Sequence, residues 1–217
     1  MLTVVPTIPG MDTVLVLSAK GGAGKTTVAR ELAVAGVLAG RRVALVDLDP
    51  QVGLTGWYGR RSQEQPLLVA LPANEDLSEL ERAGIEELIV DLPPGLPAIV
   101  PRLVTKADVV LVPVRATPDD LVAVAAAVRT LARHPCWAFV LTQTPPRSRL
   151  VDGSLRQLAA IGRVAPVSLG SRQDYPAAAI EGKAAVEFAG SRSQDEVKQL
   201  RAYVDSLLRD RHGQAEG

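Results

Sequence analysis

Apolar residues fall along this chain in two rhythms. Short continuous runs recur at 13–17 (TVLVL), 42–47 (RVALVD), 86–91 (EELIVD), 108–113 (DVVLVP) and 137–142 (WAFVLT). Runs of this length, rich in Val, Leu and Ile, predict strands buried on both faces. A sixth strand is expected at 163–168 (RVAPVS). Between the runs, residues 28–39, 121–133, 150–160, 175–180 and 195–209 have helical composition. Gly40 suits the left-handed residue that closes the first of these helices. Residues 49–61 are glycine-rich and read as irregular. Strand alternates with helix, so the expected fold class is α/β, a mostly parallel central sheet flanked by helices on both faces. The expected organisation is a flexible leader over 1–12, a single domain over 13–210 and a flexible tail over 211–217.

The first strand runs into Lys20-Gly21-Gly22-Ala23-Gly24-Lys25-Thr26-Thr27, and a helix follows. This is the strand–loop–helix setting of a phosphate-binding loop. Glycines let backbone N–H groups turn inward around phosphate oxygens. The helix that follows aims the positive end of its dipole at the same place. Lys25 would put a point charge on the β- and γ-phosphates, and Thr26 would offer a hydroxyl to Mg²⁺.

Two further strands end in carboxylates. Asp47-Leu48-Asp49-Pro50-Gln51 closes the second, and alternation puts Asp47 and Asp49 on one side of an extended chain. Asp91 closes the third, the pattern of a carboxylate that holds Mg²⁺ beside a phosphate loop. After the fifth strand comes Thr142-Gln143-Thr144-Pro145-Pro146-Arg147, which lacks the aspartate that would accept from a guanine amino group. The expected nucleotide is therefore ATP rather than GTP.

The lysine ahead of the glycines makes the loop a deviant Walker A motif, and the chain resembles the ParA/MinD family of P-loop ATPases. The resemblance covers about residues 13–208 and is sharpest at the loop and at Asp47–Gln51. It implies that Lys20 reaches the nucleotide of a partner protomer, where a second cation offsets developing charge as an arginine finger does. It implies that Asp49 orients the attacking water, with Asp47 in the magnesium shell or in a switch. Asp91-Leu92-Pro93-Pro94 resembles the family's DTPP switch with Leu92 in place of Thr, so residue 92 is left out of the site. The stretch 170–175 with 181–183 resembles a late ParA segment near the nucleotide and the dimer interface. Arg172 is its candidate DNA or dimer contact; its plain reading is a solvated arginine.

Composition narrows the choice. Lys plus Arg and Asp plus Glu are both 24, so net charge is zero and any nucleic-acid footprint must be local. The single cysteine, Cys136, excludes a disulfide framework and leaves too few thiolates for a cluster bridging two copies. It fits a reducing cytoplasm. No segment has the roughly 20 apolar residues of a membrane span. The last helix carries Val197, Leu200, Val204, Leu207 and Leu208 on one stripe, with acidic residues among the basic ones, which reads as packing on the sheet.

The resulting expectation is a small ParA-type switch without an N-terminal helix-turn-helix domain. ATP and Mg²⁺ would close a homodimer that binds double-stranded DNA without sequence preference, and a ParB-like adaptor would stimulate hydrolysis. The rival readings are a MinD-like membrane-associated positioning ATPase and a metabolic ATP-using enzyme on the same fold.

Overall fold

The computed structural model describes residues 10–71, 77–95 and 97–215. Along them run β1 (Asp12–Val16), α1 (Lys25–Leu38), β2 (Val43–Asp47), α2 (Gly53–Tyr58), β3 (Leu67–Leu68), α3 (Ser78–Arg82) and β4 (Glu87–Asp91). Then follow α4 (Val100–Val104), β5 (Val109–Arg115), α5 (Pro118–Leu131), β6 (Trp137–Thr142), α6 (Arg149–Ala159), α7 (Asp174–Ile180), a 3₁₀ turn (Ala185–Glu187) and α8 (Arg192–Ala215). Among the described residues the strands form one six-stranded sheet in the order β3-β2-β4-β1-β5-β6. Every pairing in it is parallel.

Strand alternation splits the core into two layers. Val14 and Val16 of β1 pack with α1, α2, α7 and α8. Leu15 and Leu17 face the other side, with α4, α5 and α6. A sheet covered on both faces has no polar side to present, which is why its strands read as unbroken apolar runs.

Two expectations need correction. Residues 163–168 do not form a strand; Val164 makes one isolated bridge to Phe139. After Ala165 donates to the Phe139 carbonyl the chain leaves register, and the Leu141 carbonyl is met by Leu169 N. The sixth strand is instead the two-residue β3 on the far edge beside β2. The stretch 49–61 is not irregular throughout, since it contains α2.

The boundaries also shift. Residues 1–9 lie outside the described part, but Met11 is buried and Asp12 opens β1. The last helix starts at Arg192 and continues to Ala215, so most of the expected tail is helical.

The stripe of α8 is buried as expected, with Val197, Leu200, Val204, Leu207 and Leu208 at 3% exposure or less. That leaves no apolar face on α8 for a bilayer. Among the described residues no helix is long and apolar enough to cross a membrane.

An ion-pair network pins α8 under the sheet. Arg201 Nη1 donates to Glu87 Oε1 at 2.6 Å, and Arg201 Nε donates to Asp205 at 3.1 Å. Arg41 reaches Asp12, Glu87 and Asp205. Burial raises the Glu87 carboxyl above its ordinary value, against the pull of Arg201. Removing one partner of such a pair leaves an uncompensated buried charge.

Arg201→Met is therefore expected to cost about 3 kcal/mol of stability, measured by denaturant titration at neutral pH. In that variant Glu87 keeps a proton when folded at a pH where the unfolded chain has released it. Stability then falls as pH rises above the ordinary Glu value and returns on acidification. A loss that does not shrink in acid would contradict this account.

Candidate functional site

The sheet brings the sequence-predicted residues to one edge. Val16 of β1 stands opposite Asp91 of β4, and Asp91 stands opposite Asp47 of β2. All three strands end there, so the loop after β1 and both carboxylates share the carboxyl ends of the strands, where ligands sit in open α/β sheets.

The loop itself needs its glycines. Gly22 and Gly24 hold φ of 76° and 90°, where L side chains are strained. Gly24 also caps α1, and it is its φ rather than crowding that calls for glycine, since a Cβ there would meet Thr142 at an ordinary contact distance of 3.4 Å. From β6, Thr142 Oγ1 donates to the Ala23 carbonyl at 2.7 Å and Gln143 Nε2 to the Gly22 carbonyl at 2.8 Å. The loop is braced from a strand more than a hundred residues away.

Lys25 is 5% exposed, with Nζ 3.6 Å from Asp49 Oδ2. Thr26 Oγ1 donates to Asp91 Oδ2 at 2.5 Å. Asp91 Oδ1 is buried with no hydrogen-bond partner. Burial pushes the Asp91 carboxyl up to about 7, although Thr26 and Lys25 pull the other way. A buried carboxylate oxygen without a partner, beside a threonine hydroxyl and a phosphate loop, has the hard oxygen donors that suit a hydrated Mg²⁺. The residues present fit the ion.

The two aspartates of the second strand separate. Asp49 faces Lys25, and its Oδ1 accepts from Gln51 N at 3.0 Å. Asp47 faces α2: its Oδ2 accepts from Thr55 N at 2.8 Å and Thr55 Oγ1 at 2.9 Å, and its Oδ1 accepts from Asp49 N at 3.1 Å. Both oxygens of Asp47 are taken by its own turn. Just after them Val52, an exposed β-branched residue at φ 48°, leads into α2. Strain of this kind, about 1–3 kcal/mol, persists where the surroundings enforce it and collects in switch regions.

Lys20 does not point at its own loop. Its Nζ lies 3.3 Å from Asp120 Oδ1 and 3.5 Å from Asp119 Oδ2, at the start of α5. Arg115 grips the other side of Asp120, with Nε 2.6 Å from Oδ2. Burial would raise Asp120, but the bonds from Arg115 and Lys20 outweigh it and hold the carboxyl below its ordinary value.

Beside the loop opens a cavity of about 410 Å³, lined by Thr27 and Arg30 of α1, Thr142 at the end of β6 and Gln143 after it, residues 169–173, and Tyr175 and Pro176. No carboxylate is among its described lining residues. Among the described residues no cluster of His, Cys, Asp and Glu forms a protein-only metal cage.

A sequence profile of the CobQ/CobB/MinD/ParA nucleotide binding domain matches residues 14–210. The chain belongs to this family. It is 30% identical over 204 residues to the "Maintenance of carboxysome distribution protein A" of Halothiobacillus neapolitanus, covering 87% of this chain and 94% of that one. It is 32% identical over 205 residues to the protein of the same name from Gloeobacter kilaueensis, covering 91% and 94%. A Cyanothece McdA variant solved in complex with ATP shares the fold at a TM-score of 0.69 and 19% identity, covering 94% of this chain and 97% of that one.

In this CobQ/CobB/MinD/ParA domain Arg172 is not a free surface arginine. Its Nε and Nη2 donate to Glu196 Oε1 at 2.9 and 2.5 Å, and it lines the cavity. Glu196 and the buried Arg30 and Glu31 carried no readable signal, because each acts on a segment far off in sequence. Arg30 Nη2 donates to the Tyr175 carbonyl at 3.1 Å, and Glu31 accepts from Ala185 N and Val186 N.

Proposed function

We propose that this family member is a Mg²⁺-dependent ATPase that works as a dimerising switch for positioning a cargo in the bacterial cytoplasm. The observation that carries the reading is a loop with two lysines, Lys20 and Lys25, on a family domain that spans nearly the whole chain. Residues 21–27 cradle the phosphates and Lys25 holds their charge. Thr26 and Asp91 hold Mg²⁺, which neutralises charge on the β- and γ-oxygens when bound. Asp49 orients the water, and Asp47 takes the switch role by tying α2 to β2. Lys20 leaves Asp119 and Asp120 to reach the nucleotide of a second copy. The cavity receives the base, and the lack of a lining carboxylate favours adenine over guanine.

The ATP form is a homodimer that binds double-stranded DNA without sequence preference and so rides on the nucleoid. An adaptor protein, in the manner of ParB, stimulates hydrolysis and releases it. The likeness to two proteins named for carboxysome distribution favours a particle as the cargo.

Binding to random duplex DNA with ATP, with ADP and without nucleotide tests this reading. Binding is expected only with ATP. Each phosphate contact should add about 0.9 to the slope of log affinity against log salt. Lys20→Ala should weaken it by unsettling the dimer. Arg172→Ala tests the sequence-based DNA role of that residue: unchanged DNA affinity in a dimeric variant would remove it. No ATP-dependent DNA binding at any salt would remove the DNA-riding switch.

A further inference from the structure

The segment 169–175 forms one wall of the cavity beside the phosphate loop, yet little secondary structure holds it. It makes an isolated bridge between Thr144 and Gly170, and Ser171 N donates to the Thr144 carbonyl at 2.9 Å. Leu169 is also tied to Leu141 and Thr144, and Arg30 Nη2 donates to the Tyr175 carbonyl. Three residues of the segment then meet on one side chain in the first turns of α8. Glu196 Oε2 accepts from Gly170 N at 3.0 Å and Tyr175 OH at 2.9 Å. Glu196 Oε1 accepts from Arg172 Nε and Nη2. Four donors thus converge on one carboxylate, two of them charged. Glu196 itself does not line the cavity, whereas Gly170, Arg172 and Tyr175 do.

We propose that Glu196 is a positioning residue for the nucleobase: by gathering Gly170, Arg172 and Tyr175, it sets the cavity wall against which the base of a bound nucleotide rests. The inference rests on the nucleotide-binding reading of the cavity. The phosphate loop is braced separately, by Thr142, Gln143 and the Thr26–Asp91 bond. Damage to the wall therefore acts on the base and spares the phosphates. The distinction shows in which part of the ligand loses affinity.

Glu196→Gln keeps the size of the side chain but removes its charge and turns one acceptor into a donor that faces donors. Calorimetric titration of the full chain with ATP and with inorganic tripolyphosphate, each with Mg²⁺, reads the effect. ATP affinity is expected to fall about tenfold, the scale of a charged hydrogen bond, while tripolyphosphate affinity stays as in the wild type. KM for ATP should rise with kcat unchanged, the mark of lost uniform binding. Tyr175→Phe removes one of the four bonds and should cost less. Its effect should not add to that of Glu196→Gln, because the two share one carboxylate.

Equal losses for ATP and tripolyphosphate would overturn the inference in favour of a general structural role. So would an unchanged ATP affinity, or full additivity of the two variants. Should Glu196→Gln fail to fold, the Tyr175→Phe split between ATP and tripolyphosphate decides alone. A wild-type chain that binds tripolyphosphate but gains nothing from the nucleoside would overturn the base-binding reading itself, and this inference with it.

Discussion

Lys25→Ala is expected to abolish measurable ATP binding. Lys25 is buried at the first turn of α1, where its ammonium has Asp49 as its ion-pair partner. In such a place a unit charge about 4 Å from another is worth about 4 kcal/mol at an effective dielectric of about 20. That is a loss of about a thousandfold in affinity. No other lysine replaces it, because Lys20 is turned toward Asp119 and Asp120. Calorimetric titration with ATP and Mg²⁺ measures the loss. Affinity within a few fold of the wild type would remove the phosphate-loop assignment. The variant leaves Asp49 without its partner, so Lys25→Ala/Asp49→Asn, which restores neutrality, serves as the folding control and should stay far below the wild type.

Asp49→Ala is expected to separate binding from turnover. In the present structure Asp49 occupies Lys25 much as a phosphate would, so the pair must open before ATP is gripped. Removing the carboxylate frees Lys25 and leaves Thr26 and Asp91 in place. ATP affinity should be equal or higher, and the ATP dimer should persist on size-exclusion chromatography. Hydrolysis should fall by about 10²–10⁴, the usual contribution of a group that activates or transfers a proton for the nucleophile. A variant that stays monomeric while the wild type dimerises would assign Asp49 a structural role in the turn instead.

The depth of the sequence signal differed from residue to residue. The loop from Lys20 to Thr27 was readable as a candidate because its residues are eight consecutive positions that lead into one helix start. Asp91 was readable because a buried parallel strand that ends in a carboxylate leaves that carboxylate at the ligand edge. Asp47 and Asp49 were readable from spacing as a pair, and only the family resemblance gave them two expected roles. Alternation alone puts them on one side; the packing of α2 against β2 sends one to Thr55 and leaves the other with Lys25.

The strands β1, β2, β4, β5 and β6, the longer helices and the placing of the loop between β1 and α1 therefore belong to the sequence by itself, because local spacing and burial pattern decide them. The edge beside β6 did not: RVAPVS has strand composition, but the chain leaves the ladder after Ala165 and returns to Leu141 only at Leu169, which keeps it to one bridge. The cavity wall was invisible for a stronger reason. Glu196 meets Arg172 across 24 residues and Tyr175 across 21, and Thr142 meets Ala23 across 119. A hydrogen bond between distant segments leaves no periodicity, because each partner is an ordinary polar residue until the sheet and α8 bring them within 3 Å. The direction of Lys20 was settled the same way, by the arrival of α5 beside the loop with Asp119 and Asp120 at its start.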